Sequence, residues 1–155
     1  MFIMKGNESY VISVSPQVRC YRHLRIGASA TLYDMSDAIL DAFDFADDHA
    51  HAFFMNNRAW DATEAYYCPE IFEEMEEDGE DPKGSTEDVT LGDLRLSEGK
   101  KFLYIFDFGE EWRFTCKVLK VLPESTEDYE IVRAVGKAPD QYGYDEEDYD
   151  SDDEE

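Results

Sequence analysis

The sequence predicts a single α+β domain, a mainly antiparallel sheet with one long helix and short helices packed on it. Three observations carry that reading. Segments towards both ends alternate apolar and polar residues with period two, as half-buried strands do. One stretch between them repeats apolar residues at helical spacing. Strand-like segments outnumber long helical ones, and no internal repeat divides the chain. Its 155 residues, 43% hydrophobic and 14% aromatic, suffice for one core.

In chain order, "ESYVISVSPQVRCYRHLRI" reads as two strands joined at Ser15, Pro16 and Gln17. Tyr10, Ile12 and Val14 alternate with polar or smaller residues. After the turn, Val18, Cys20, Leu24 and Ile26 share one face, and Arg19, Tyr21, His23 and Arg25 the other. Arg22 falls on the apolar side, where its guanidinium calls for a carboxylate. The helix follows in "ASATLYDMSDAILDAFDF". Thr31 and Asp34 form a capping box, and Leu32, Met35, Ile39, Ala42 and Phe43 make the stripe that meets the sheet. "HAHAFFMNN" is a strand of mixed burial. Pro69 opens a short acidic helix, and residues 79–86 form a flexible loop. "TLGDLRL" makes one helical turn. "FLYIF" is apolar on both faces, as a central strand is, and from Trp112 onward Phe114, Cys116 and Val118 point inward against Arg113, Thr115 and Lys117. "DYEIVRAV" is the last strand.

Charge is the second constraint. The net charge is -24, and nine acidic residues without a base fall in "DEEDYDSDDEE", residues 145–155. Such a block repels itself and buries almost nothing, so it reads as a disordered tail, dispensable for folding, behind a domain over residues 1–144. The acidity disfavours direct nucleic-acid binding and anionic membranes, and favours a basic protein partner or metal cations. "MFIMKGNESY" turns polar too soon for a signal peptide, and no apolar run approaches membrane length. Cys20, Cys68 and Cys116 form no CxxC pair, which fits a reduced, cytoplasmic setting; Cys20 and Cys116 read as small core residues.

Motifs for chemistry are sparse. Asp107-Phe108-Gly109 has none of the kinase motifs that would make its Asp a magnesium ligand, so it reads as a turn. Tyr104–Phe106 and Trp112–Val118 are expected to pair as adjacent antiparallel strands around the loop Asp107–Glu111. Gly109 is expected at positive φ, Trp112 in the core, and Asp107 bonded to backbone or near Arg22. In "DDHAH", His49 and His51 would share one face of a strand, and with Asp48 they form the candidate set for a divalent metal. Arg19, Arg22, His23 and Arg25 make a basic patch that pairs with the protein's own carboxylates. No nucleophile signature is present, so no catalytic residue is assigned.

Taken in order, "VRCYRHLRI", "SDAILDAFDFADDHAHAF", "YIFDFGEEWRF" and "GKAPDQYGY" resemble the plasmid pRiA open-reading-frame-three-like family, some of whose members are labelled insertion-element passenger proteins. Tyr21-Arg22 matches its aromatic-Arg pair, and Phe43, Phe45, Asp48 and His49 its aromatic segment with Asp-His. Tyr104, Phe106, Asp107, Phe108, Gly109, Glu110 and Trp112 match its hairpin, with Glu in place of Asp at 110. Gly136, Pro139, Asp140 and Gly143 echo its late motif. The resemblance implies an α+β domain of bacterial or archaeal cytoplasm, often near mobile elements, with no established reaction. It points to Arg22, Asp48, His49, Asp107 and Trp112 as a functional cluster. The leading functional expectation is a non-enzymatic protein-interaction or regulatory domain that requires no cofactor. The alternatives are a metal-dependent hydrolase using "DDHAH", and an acidic mimic of nucleic acid resting on "EIFEEMEED".

Overall fold

The computed structural model describes residues 7–142, so the acidic segment 145–155 lies outside the described residues. The first two strands, β1 (Ser9–Gln17) and β2 (Cys20–Gly27), form an antiparallel hairpin. Tyr10, Ile12, Val14, Cys20, Leu24 and Ile26 are buried, as their alternation requires. The reversal comes later than expected, at Val18 and Arg19. A register shift between Val14 and Gln17 accommodates Pro16, which has no N–H for the ladder, inside β1. Arg19 takes the positive φ, 67°, and Val18 is 86% exposed at the tip rather than inward.

Helix α1 (Leu32–Ala42) starts with the expected capping box: Asp34 N–H donates to Thr31 Oγ1 and Thr31 N–H to Asp34 Oδ2, each at 3.0 Å. It is only 11 residues long, because Asp44 turns left-handed at φ 62° and the Phe45 N–H returns to Leu40 O. The chain continues through β3 (His51–Phe54), β4 (Ala65–Tyr67) and α2 (Pro69–Glu77). Part of the expected loop at 79–86 is ordered as β5 (Gly84–Ser85). The single helical turn of "TLGDLRL" is the 3-10 turn Gly92–Leu94. Next come β6 (Lys101–Phe106), β7 (Trp112–Leu122) and β8 (Glu130–Val135).

All eight strands join one mixed sheet, ordered β5-β4-β3-β6-β7-β1-β2-β8, in which β4 pairs β5 in parallel and the other neighbours run antiparallel. The protein is thus α+β and largely sheet, with two short helices. Helix α1 lies on one face over Phe53, Phe102, Tyr104, Phe114, Cys116 and Leu24, and a buried 2.6 Å bond joins Ser36 to the Tyr104 hydroxyl. Helix α2 packs Ile71, Phe72 and Met75 on the opposite face, over Phe54, Tyr67, Leu103 and Ile105. Among the described residues no element covers that opposite face along β7, β1, β2 and β8, where Arg113, Thr115, Lys117 and Arg133 are exposed.

The β6–β7 hairpin has its expected ends, with Phe106 paired to Trp112 and Asp107–Glu111 between them. Gly109 is not the residue at positive φ; Asp107 and Glu111 are, at 64° and 57°. Asp tolerates that region because its short side chain bonds locally, and Asp107 Oδ1 accepts the Glu110 N–H at 3.2 Å. A Cβ added at Gly109 would meet only Asp107 Oδ1, at 3.6 Å. Gly109→Ala is therefore expected to change stability by no more than about 0.5 kcal/mol in urea denaturation. Asp107→Val, β-branched at positive φ, is expected to cost about 2 kcal/mol, and Asp107→Asn much less.

Candidate functional site

Three stretches far apart in sequence meet at the end of the sheet where β3, β6 and β7 come together. Asp107 follows β6, and its N–H donates to Ala50 O at 2.8 Å, which brings the residues before β3 against the hairpin loop. His49 lies in a bend ahead of β3, not on the strand, so the same-face argument for His49 and His51 fails. The His49 Nδ1 stands 2.6 Å from Asp48 Oδ1 and 3.6 Å from Asp107 Oδ2. The chain after β8 then crosses this end. Gln141 exchanges two bonds with Ala46, at 2.7 and 2.9 Å, and its carbonyl accepts the Trp112 Nε1–H at 3.0 Å. The Tyr142 hydroxyl donates to Asp48 Oδ2 at 2.9 Å. Trp112 is half-buried, its ring edge-to-face with Phe45 at 5.0 Å.

Asp48, His49, Asp107 and Trp112 are thus one polar cluster. Gln141, which buries its amide at the centre, was missed; a lone Gln carries no periodicity or motif, and only the late motif pointed nearby. Arg22 stands apart. It is buried, but among the described residues no carboxylate answers it: Nε donates to Ala42 O at 3.2 Å, and Nη1 to Tyr21 O and Val135 O at 3.0 Å. Its charge lies 4.8 Å over the Phe43 ring. Carbonyls at the C-terminal end of α1 and on β8 suffice, because they present the partial negative charge a guanidinium needs.

Electrostatics separates the two histidines. The hydrogen bond to Asp48 lifts His49 above the ordinary histidine value, with the charges of Asp107, Asp48 and Glu110 adding to it. Bonds from His49 and Tyr142 hold Asp48 below the carboxylate range. The His49 contribution is complete below pH about 6.5 and is lost as pH rises through its elevated value; that of Asp48 is complete above about 3.8 and is lost on acidification through its lowered value. The contact is accordingly strongest in mild acid. In an NMR titration the His49 ring is expected to titrate above 6.5, and to fall towards it in Asp48→Asn.

His51 behaves in the opposite sense. It is buried beside Tyr33 and Tyr104, its Nε2 lies 2.9 Å from Thr86 Oγ1, and burial pushes its value down to about 4. The neutral ring therefore contributes stability that declines as pH falls from about 6.5 towards 4. Across that interval the denaturation midpoint of wild type is expected to fall further than that of His51→Gln.

A cleft of about 420 Å³ beside the cluster is lined by Tyr33, Asp47, His49, His51, Cys68 and Glu70. Burial raises the Cys68 thiol, so it is not primed for attack, and burial with the Asp48 and Glu70 charges raises Asp47. No three His, Cys, Asp or Glu side chains stand close enough to hold a metal among the described residues. The arrangement amounts to a half-exposed imidazole oriented by a carboxylate, able to donate a charged hydrogen bond. It also clasps residues 136–142 onto the sheet.

The plasmid pRiA4b ORF-3-like protein pattern matches residues 12–147. The chain belongs to this family. Of the residues that mark the resemblance to it, the fold gathers Asp48-His49, the Asp107 hairpin and residues 136–142 at the sheet end, and leaves Tyr21-Arg22 apart. The chain also resembles a crystal structure, MM3350 from Methanosarcina mazei Go1, a protein of unknown function. The two are 22% identical over 86% of this chain and 72% of that one, with a TM-score of 0.66, a likeness of fold. No curated protein matches the chain. Among the described residues no helix is long and apolar enough to cross a membrane.

Proposed function

We propose that the protein is a non-enzymatic interaction domain that binds across the uncovered half of its sheet. The observation that carries this reading is the contrast between the two faces. One is covered by α1, while the other, beyond α2, runs open among the described residues over β7, β1, β2 and β8 and exposes Val132 at 49% beside cationic side chains. The polar cluster at the sheet end spends its bonds on the segment after β8, which supports a structural role for it. A cytoplasmic setting and a link to mobile elements come with the resemblance and belong to the proposal.

The test is capture from lysate at low and high salt by immobilised wild type, by Lys101→Glu/Lys117→Glu on the open face, and by Glu73→Lys/Glu74→Lys on α2. Loss of a salt-sensitive partner in the first variant alone supports the reading; capture unchanged by it overturns it. A basic partner, or mimicry of nucleic acid, suits α2 instead, which carries Glu70, Glu73, Glu74, Glu76 and Glu77, and predicts loss in the second variant. The metal-dependent hydrolase reading retains one favourable observation, an imidazole within reach of two carboxylates. Calorimetric titration with zinc or manganese, against His49→Ala, decides it.

A further inference from the structure

Resting on that reading, we infer that the open face is an anion-docking surface whose occupant is the chain's own acidic segment, residues 145–155. The inference starts from strand register. Lys101 on β6 pairs with Lys117 on β7, Lys117 with Ser13 on β1, Ser13 with His23 on β2, and His23 with Arg133 on β8. Directly paired residues point to the same side, so Lys101, Lys117, His23 and Arg133 form one line across five strands. A second line beside it holds Arg25 and Lys120, both paired with Val11.

Five of the 14 Lys and Arg residues lie in these two lines, and Arg113, which pairs with Glu111, is a sixth on the same face of a chain that has 38 Asp and Glu. Like charges set opposite one another cost stability, and Lys101 opposite Lys117 is such a pair. No carboxylate lies within ion-pair distance of Lys101, Lys117, Lys120 or Arg133 among the described residues. The Arg133 charge, after burial, depresses His23, and the groove's one carboxylate, Glu130, sits opposite Arg25. The apolar floor of the groove, Val11, Leu119, Leu122 and Val132, gives Tyr149 a seat.

Charge and reach both select the acidic segment. Its nine carboxylates are the densest anion in the sequence. The described chain reaches Tyr142 beside Trp112, the first residue of β7, from which Arg113, Lys117 and Lys120 lead along the open face. Eleven extended residues span up to about 37 Å, against about 23 Å from Arg113 to Lys120 and about 19 Å across five strands. Tethering raises the local concentration of the segment to the millimolar range, so weak, salt-sensitive pairs suffice.

The experiment uses the full chain and a second full chain with all nine carboxylates of 145–155 replaced by their amides, both compared by NMR at low salt. Amide shift differences are expected along the Lys101–Arg133 line and to vanish at high salt. A free peptide of residues 145–155 is expected to bind the amide variant at least tenfold more tightly than wild type, and to lose that binding in Lys101→Glu/Lys117→Glu. Differences confined to residues beyond 140 overturn the inference. If the peptide leaves the line unmoved while a single-stranded oligonucleotide shifts it, the face binds but its occupant is a nucleic acid, and the inference falls alone. If neither ligand shifts it, the inference and the binding reading fall together.

Discussion

Phe114→Ala is expected to destabilise the protein by about 3–5 kcal/mol, the range for a large aromatic removed from a packed core. Phe114 is fully buried and meets Phe43 at 5.3 Å, Tyr104 at 5.6 Å and Phe45 at 5.8 Å between ring centroids. These rings come from three places: the end of α1, β6, and the segment leading to the polar cluster. None can collapse freely into the space left. Tyr104 is held by Ser36, Phe45 is wedged against Trp112, and Phe43 lies under the Arg22 guanidinium. A site that cannot relax retains the cavity and its full cost. Phe114→Leu, which keeps most of the volume, is expected to cost about 1.5 kcal/mol or less. Urea denaturation checks both; a loss under 1 kcal/mol for the alanine variant would mean the surrounding rings repack.

Much of the fold was legible because local periodicity and burial agree. Thr31 and Asp34 cap the helix as their spacing requires, and Phe114, Cys116 and Val118 alternate with exposed neighbours as a half-buried strand must. Errors gathered where one residue's conformation depends on a bond to another element. Glycine is the default for positive φ, yet Asp107 takes it, since its carboxylate and N–H are both engaged. His49 was placed on a strand with His51, but the ladder starts at His51, whose partner is Phe106. The basic line was invisible for a different reason. Lys101, Lys117, His23 and Arg133 are scattered in sequence and align only through the order of β6, β7, β1, β2 and β8.

Gly136→Val is the second large effect, expected at about 2–4 kcal/mol. Gly136 has φ 84°, and a Cβ there would lie 2.2 Å from Arg19 O and 2.9 Å from Cys20 Cα. Both are backbone atoms of the β1–β2 hairpin, so no side-chain rotation relieves the contact. Either the hairpin tip or the segment after β8 must move. The segment is held by fewer bonds: Cys20 Sγ to Lys137 O, Gln141 to Ala46 and Trp112, and Tyr142 to Asp48. It is therefore expected to yield first, leaving the sheet folded. Trp112 fluorescence should shift towards that of an exposed indole, and the Ala46 amide should exchange faster with solvent. Alanine substitutions separate clash from backbone strain. Gly79 and Gly99 also have positive φ, at 81° and 90°, but nothing lies within 4 Å of a Cβ at either. Alanine there is expected to cost about 1 kcal/mol from strain alone, and Gly136→Ala distinctly more. Equal losses at all three positions would show that the contact with the Arg19 carbonyl relaxes without cost.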